Sequence, residues 1–283
     1  MVFEAVMVVV GLVFLLTASY SDIRTREVPD WISYGLMFVG LGLRLMFSFV
    51  EGWELFASGL LGLGVGWLLA YMLYVADQWG GGDSKLLMGV GSLVGLWWGS
   101  YQFGWFLLGL IFLGAFWGLL WSIGVAITGW KGFTKSFKKL LKEYKWWHLG
   151  VWIFSGVIGV LSIWWVPLLT IVGFILGSFY LICFIVAIEK SGFTRKIAPE
   201  HLVEGDWLEK NVEIKNRIVM HKRALEKRDI RRLMVLKADD KLNYVLIKEG
   251  APFVPGFLFS FVVVFLAKNW TMGIIEKIFW FLG

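Results

Sequence analysis

Long apolar runs separated by short polar connectors set the pattern of this chain. The first runs over Val2–Tyr20, the second over Trp31–Val50 and the third over Trp53–Ala76. A shorter one covers Lys85–Trp98, and the turn Gly99-Ser100-Tyr101-Gln102 leads into a fifth, Phe103–Ile127. A helix needs about 20 apolar residues to cross a bilayer, and most of these runs meet that length. Trp146–Ile188 is too long for one span. Pro167 divides it into a sixth and a seventh helix, because proline interrupts the helical hydrogen-bond ladder. A last run covers Phe253–Ala267, and the tail 269–283 reads as an amphipathic segment that lies in the interface or prolongs the span. The pattern predicts an all-α polytopic membrane protein with about eight transmembrane helices, within a range of six to eight.

Between the seventh and the last run the chain turns polar. Leu233-Met234-Val235-Leu236 and Tyr244-Val245-Leu246-Ile247 flank Ala238-Asp239-Asp240-Lys241 and read as a β-hairpin. A small α+β or β domain is expected there. The organisation is then a helical membrane domain over 1–188, a polar domain over 189–252, and a C-terminal helix with its tail over 253–283. Small residues recur every fourth position at Ser58, Gly62 and Gly66, at Gly91, Gly95 and Gly99, and at Gly114 and Gly118. Such stripes predict helix backbones in close approach. Arg44, late in the second run, reads as a side chain that snorkels to the interface.

Composition supports the membrane reading. At 58% hydrophobic residues, a chain of 283 cannot bury its apolar surface as a soluble domain. The single cysteine, Cys183, rules out an internal disulfide or cysteine zinc site, and His148, His201 and His221 show no metal-ligand spacing. Neither a metal nor another cofactor is expected. The first run carries Glu4 where a signal peptide would be basic, and no small-x-small cleavage site follows, so it reads as a mature helix. The net charge of +6 is concentrated in connectors, which points to a membrane surface and lipid rather than nucleic acid. Arg24 and Arg26 lie in the first connector, and Lys131, Lys135, Lys138, Lys139, Lys142 and Lys145 in the fifth. Alternation puts both on one face. The positive-inside bias makes that face cytoplasmic, with the N-terminus outside and the polar domain inside.

Two carboxylates stand at that face. Asp22 follows the first run, and Asp83 ends the string Gly80-Gly81-Gly82-Asp83 before the fourth. Two carboxyl groups that meet there can share one proton and activate a water between them, the chemistry of aspartic proteolysis. Glycines 80–82 would allow unusual backbone angles and close approach to Asp83. Plainer roles stay open: Asp30 as the N-cap of the second helix, Asp77 as a helix end, Asp22 as a solvated charge, and Asp83 as a cap.

The segment Asp22-Ile23-Arg24-Thr25-Arg26-Glu27-Val28-Pro29-Asp30, taken with Gly80-Gly81-Gly82-Asp83-Ser84-Lys85, resembles the type IV prepilin peptidase family. Within it the likeness is to archaeal preflagellin and prepilin peptidases. It is strong over residues 1–100, and Gly250-Ala251-Pro252-Phe253-Val254-Pro255-Gly256 adds to it. The resemblance implies a GxGD-type intramembrane aspartic endopeptidase in the cell membrane. Its substrates would be archaellin or pilin precursors with a short basic leader, cut at the cytoplasmic face. Asp22 and Asp83 would be the catalytic pair, with Gly80 and Gly82 shaping the turn that presents Asp83. Glu27, Asp30 and Asp77 are candidates for holding the leader's basic residues. Bacterial members that also methylate the new N-terminus carry a cysteine-rich insert, which one cysteine cannot build, so no methyltransferase activity is expected. Gly82 stands where archaeal members often have a hydrophobic residue. The rival readings are a signal-peptide-peptidase or presenilin-like GxGD protease, and a proton- or cation-coupled transporter with the aspartates as its ion site.

Overall fold

The computed structural model describes residues 2–76, 78–97, 101–162, 165–203, 205–214, 217–223, 225–248 and 250–266. In chain order the helices are α1 (Val2–Thr25), α2 (Asp30–Glu51), α3 (Trp53–Val75), α4 (Gly81–Val94), α5 (Gln102–Thr128), α6 (Trp130–Glu143), α7 (Lys145–Leu161) and α8 (Leu168–Ser191). Strands β1 (Thr194–Ile197), β2 (Trp207–Leu208), β3 (Val212–Ile214) and β4 (Arg217–Met220) follow, then α9 (Lys227–Ala238), β5 (Val245–Lys248) and α10 (Val254–Leu266). Of these, α1, α2, α3, α5 and α8 are long and apolar enough to cross a membrane. Large side chains such as Phe38, Phe112 and Phe174 stand open on the helix exteriors, as lipid-facing positions do. The chain is a multi-pass helical membrane protein with a small strand-containing region. The tail 269–283 lies outside the described residues.

Two compact units divide the chain: Met1–Leu120 with the residues from Ala251 on, and Trp121–Gly250. In the first unit, α2, α3 and α4 pack through their small residues. A Cβ placed on Gly62 would strike the Gly91 carbonyl, one on Gly91 would strike that of Gly62, and one on Gly66 would lie 3.1 Å from the Leu87 carbonyl. Only glycine lets the two backbones come this close, as the stripes on α3 and α4 predict; Gly99 of the α4 stripe lies outside the described residues. The α5 stripe is used at one position. A Cβ on Gly114 would fall 2.8 Å from the Phe253 ring, whereas Gly118 faces open space.

At 14 residues, α4 is about 21 Å long and falls short of a bilayer core of about 30 Å. Its last carbonyls therefore need partners away from water. Arg44 supplies them. This side chain is buried, not snorkelling: Nε donates to Leu93 O at 3.0 Å, one terminal nitrogen to Val94 O, and the other to Leu55 O at 3.1 Å and to Ser58 Oγ. Gly95 ends the helix with φ of +73°, a left-handed turn, and any Cβ there would press on the guanidinium.

In the second unit the lysine-rich connector is itself a helix. Phe133, Phe137 and Leu140 of α6 pack on Phe184, Ala187 and Ile188 of α8, while Lys131, Lys135, Lys138, Lys139 and Lys142 lie on the exposed face. The polar region holds a three-stranded antiparallel sheet in the order β1-β5-β2, the β3–β4 hairpin, and α9. The expected hairpin around Asp239 is not formed. Leu233-Met234-Val235-Leu236 is helical, and only its partner segment is a strand. Ile230, Leu233 and Leu236 recur at helical spacing against the core of Leu208, Leu225 and Ile247, and Glu226 and Asp229 form a capping box that starts α9.

Candidate active site

Both helices that carry the aspartates are displaced from their expected ends, and the displacement builds the site. The first helix continues past Tyr20 to Thr25, where Arg26 takes φ of +61° and Pro29 follows. Asp22 is thereby a residue of the last turn of α1, and it is buried. The fourth helix starts at Gly81 rather than Lys85, so Asp83 lies in its first turn. A carboxylate belongs there, because the first turn has free N–H groups and the positive end of the helix dipole. The Asp83 carboxylate faces the Gly80 backbone, and Asp22 is close enough for its charge to act on Asp83.

The glycines before Asp83 work otherwise than expected. Gly80 is extended, with φ of −72°, and Gly81 and Gly82 are helical, so no unusual backbone angle is used. Gly81 faces open space. A Cβ on Gly82 would meet Val28 at 3.4 Å, which places the start of α4 in close contact with the chain leaving α1.

Of the three acidic residues considered for a basic leader, Asp30 is already engaged. It is the first residue of α2 and makes no cap; its carboxylate pairs with Lys85 Nζ at 2.6 Å. Glu27 is exposed beside the Asp22 turn, and its carbonyl accepts Ser21 Oγ at 2.9 Å. Asp77 lies outside the described residues. Among the described residues no group of three or more His, Cys, Asp or Glu side chains could hold a metal ion.

One contributor was not foreseen. Asp22 Oδ2 accepts the Val254 N–H at 2.9 Å, and the Phe253 backbone faces the same carboxylate. Trp79, just before Gly80, packs its ring on Phe253 and Phe257 with centroids 5.4 and 5.6 Å apart. The start of α10 thus touches the segments that carry both aspartates. The sequence gives a hint of this in Gly250–Gly256, a motif noticed for its resemblance but assigned no contact.

Residues 9–131 match the profile of the type IV leader peptidase family. Curated relatives include preflagellin peptidases of Methanococcus voltae (36% identical over 86 residues), Methanocaldococcus jannaschii (32% over 87) and Methanococcus maripaludis (31% over 87). Each alignment covers 30% of this chain, and the chain spans 36–37% of the length of these relatives. No solved structure matches. Residues 9–131, a stretch that holds both Asp22 and Asp83, are similar to the type IV leader peptidase family.

Proposed function

We propose that the chain is a membrane-embedded aspartic endopeptidase that removes basic leader peptides from archaellin or pilin precursors at the cytoplasmic face. The observation that carries this reading is the meeting of Asp22 and Asp83. Two helix ends bring two carboxylates within each other's field, with one of them buried. Like charges so placed resist joint ionisation, so the pair holds one proton between them. The ionised carboxylate takes a proton from water as the water attacks the scissile carbonyl. The protonated one donates to the carbonyl oxygen, and the tetrahedral intermediate then collapses with proton transfer to the leaving nitrogen. No methyl transfer is assigned to the chain.

The site's position also fits the substrate class. The positive-inside bias of the basic loops supports a cytoplasmic position for this end of α1 and α4, with the N-terminus outside. A precursor with a basic leader and an apolar segment presents its junction at that depth, so no polar peptide has to enter lipid. Cleavage of a tagged precursor in membranes tests the reading. Asp22→Asn and Asp83→Asn should each reduce the rate by about a thousandfold or more, and full activity in either variant would overturn it.

A further inference from the structure

Asp22 occupies an electrostatically poor position in its own helix. The last turn of α1 presents unpaired carbonyls and the negative end of the helix dipole, which disfavour an anion. The charged groups facing the carboxylate are Arg26, just beyond the end of α1, and Asp83 of α4. The start of α10 offsets that deficit. Its first N–H groups have no partner within their own helix, and those of Val254 and Phe253 turn to Asp22.

The start of α10 is itself firmly seated. Trp117 Nε1 donates to Pro252 O at 2.8 Å, and Ser260 Oγ donates to Phe106 O at 2.6 Å. A Cβ on Gly256 would lie 2.8 Å from Gly114 Cα, and one on Gly11 would strike the Phe261 ring. Val254, Phe257 and Phe261 are fully buried. The family match ends at residue 131, so it does not include this helix.

We infer that the Val254 N–H is a positioning group of the active site: the start of α10 orients the Asp22 carboxylate toward the water shared with Asp83. This rests on the peptidase reading above. It adds that a residue more than 200 positions from Asp22 sets the rate of the chemical step while leaving substrate binding alone.

Proline at 254 removes this hydrogen at a position where no intrahelical bond is lost, but its Cδ points at Asp22 Oδ2, so an ester link, which adds no atom, decides the case. Val254→Ala keeps the hydrogen and removes buried side-chain volume instead. With a tagged precursor, Val254→Pro should lower kcat by roughly 10- to 100-fold with KM unchanged, the loss expected for one hydrogen bond to a charged group. Val254→Ala should stay within about threefold of the parent chain. An unchanged kcat in Val254→Pro, or an equal loss in Val254→Ala, would overturn the inference. An ester link at residue 254, made with the α-hydroxy analogue of valine, removes the same hydrogen without adding an atom and must give the same kcat loss; an unchanged kcat there overturns the inference whatever Val254→Pro does. The two readings separate cleanly. A parent chain that cleaves no precursor, or an Asp22→Asn chain that still cleaves, defeats the peptidase reading. Normal cleavage by the parent and by Val254→Pro alike defeats only the role of α10.

Discussion

Asp22 and Asp229 make an instructive pair. Both are almost fully buried, at 7% and 4% exposure, and both accept backbone N–H groups at the start of a helix. Their surroundings differ. Asp229 caps its own helix: the Glu226 N–H donates to it at 3.1 Å, and Arg223 pairs with it at 2.6 Å. Asp22 receives its N–H groups from a helix more than 200 residues away and faces a second carboxylate. The contrast separates two uses of a buried acid. A carboxylate that meets a guanidinium and the backbone of its own helix holds structure. One that meets another carboxylate at a helix junction is available for chemistry.

On the proposed peptidase reading, the largest effects come from breaking Asp22. Replacing Asp22 by Asn should remove cleavage while lowering stability by no more than about 1 kcal/mol, since the amide oxygen still accepts the Val254 N–H. Unfolding of this variant would put Asp22 on the structural side with Asp229. Arg44 is the structural extreme among the buried charges. Arg44→Met would leave the Leu93 and Val94 carbonyls without a donor and should cost about 3 kcal/mol, seen as a drop in thermal unfolding temperature in detergent. Arg44→Lys should recover only part of that loss, because an ammonium cannot reproduce the planar fork.

The sequence displays one side of this comparison well and the other poorly. That Asp22 and Asp83 stand at helix ends was legible because apolar runs stop beside them. The small-residue stripes on α3 and α4 were legible for a similar reason: a bilayer offers few other ways to bring helices together. Arg44 was misread because a lone arginine near a helix end usually reaches water. Nothing local announces that α4 stops short and needs a donor. The hairpin expected around Asp239 failed because four apolar residues in a row fit a strand or a helix, and the deciding signal, Glu226 with Asp229, lay upstream. The Val254 contact was hidden by its distance along the chain. A backbone N–H has no side chain to give it away.

Asp229 provides an intermediate effect with a pH dependence. Burial alone would raise its pKa, but the Glu226 N–H and the Arg223 and Arg228 guanidinium groups outweigh that and hold it below the usual carboxylate range. A carboxyl depressed in the folded state stabilises the fold above its unfolded pKa of about 4, and loses that contribution as pH falls through the lower folded value. Protection factors for amide exchange in α9 should therefore be steady near neutrality and fall in acid below about pH 4. Asp229→Asn should weaken α9 by about 1–2 kcal/mol at neutral pH and flatten the acid response, with cleavage unchanged. A cleavage defect without faster exchange would erase the distinction between the two aspartates.

The smallest effects belong to the exposed acids, where the comparison is finest. Asp30 is 64% exposed in its side chain and tied to Lys85, so Asp30→Asn should change stability by less than about 1 kcal/mol, and less still at high salt. Its charge is already neutralised locally, which leaves little attraction for a basic leader. Glu27 is also exposed and sits beside the turn that follows Asp22. If an exposed acid near the pair reads the leader, Glu27→Gln should narrow the preference for a Lys-containing over an Ala-substituted leader by about two- to threefold, the scale of one screened charge pair. Asp30→Asn should leave that preference intact. The measurement is the ratio of cleavage rates for the two leaders, taken at low and high salt. A preference that collapses in Asp30→Asn but survives in Glu27→Gln would mean that Lys85 yields its partner to the substrate, and that the ion pair belongs to the site.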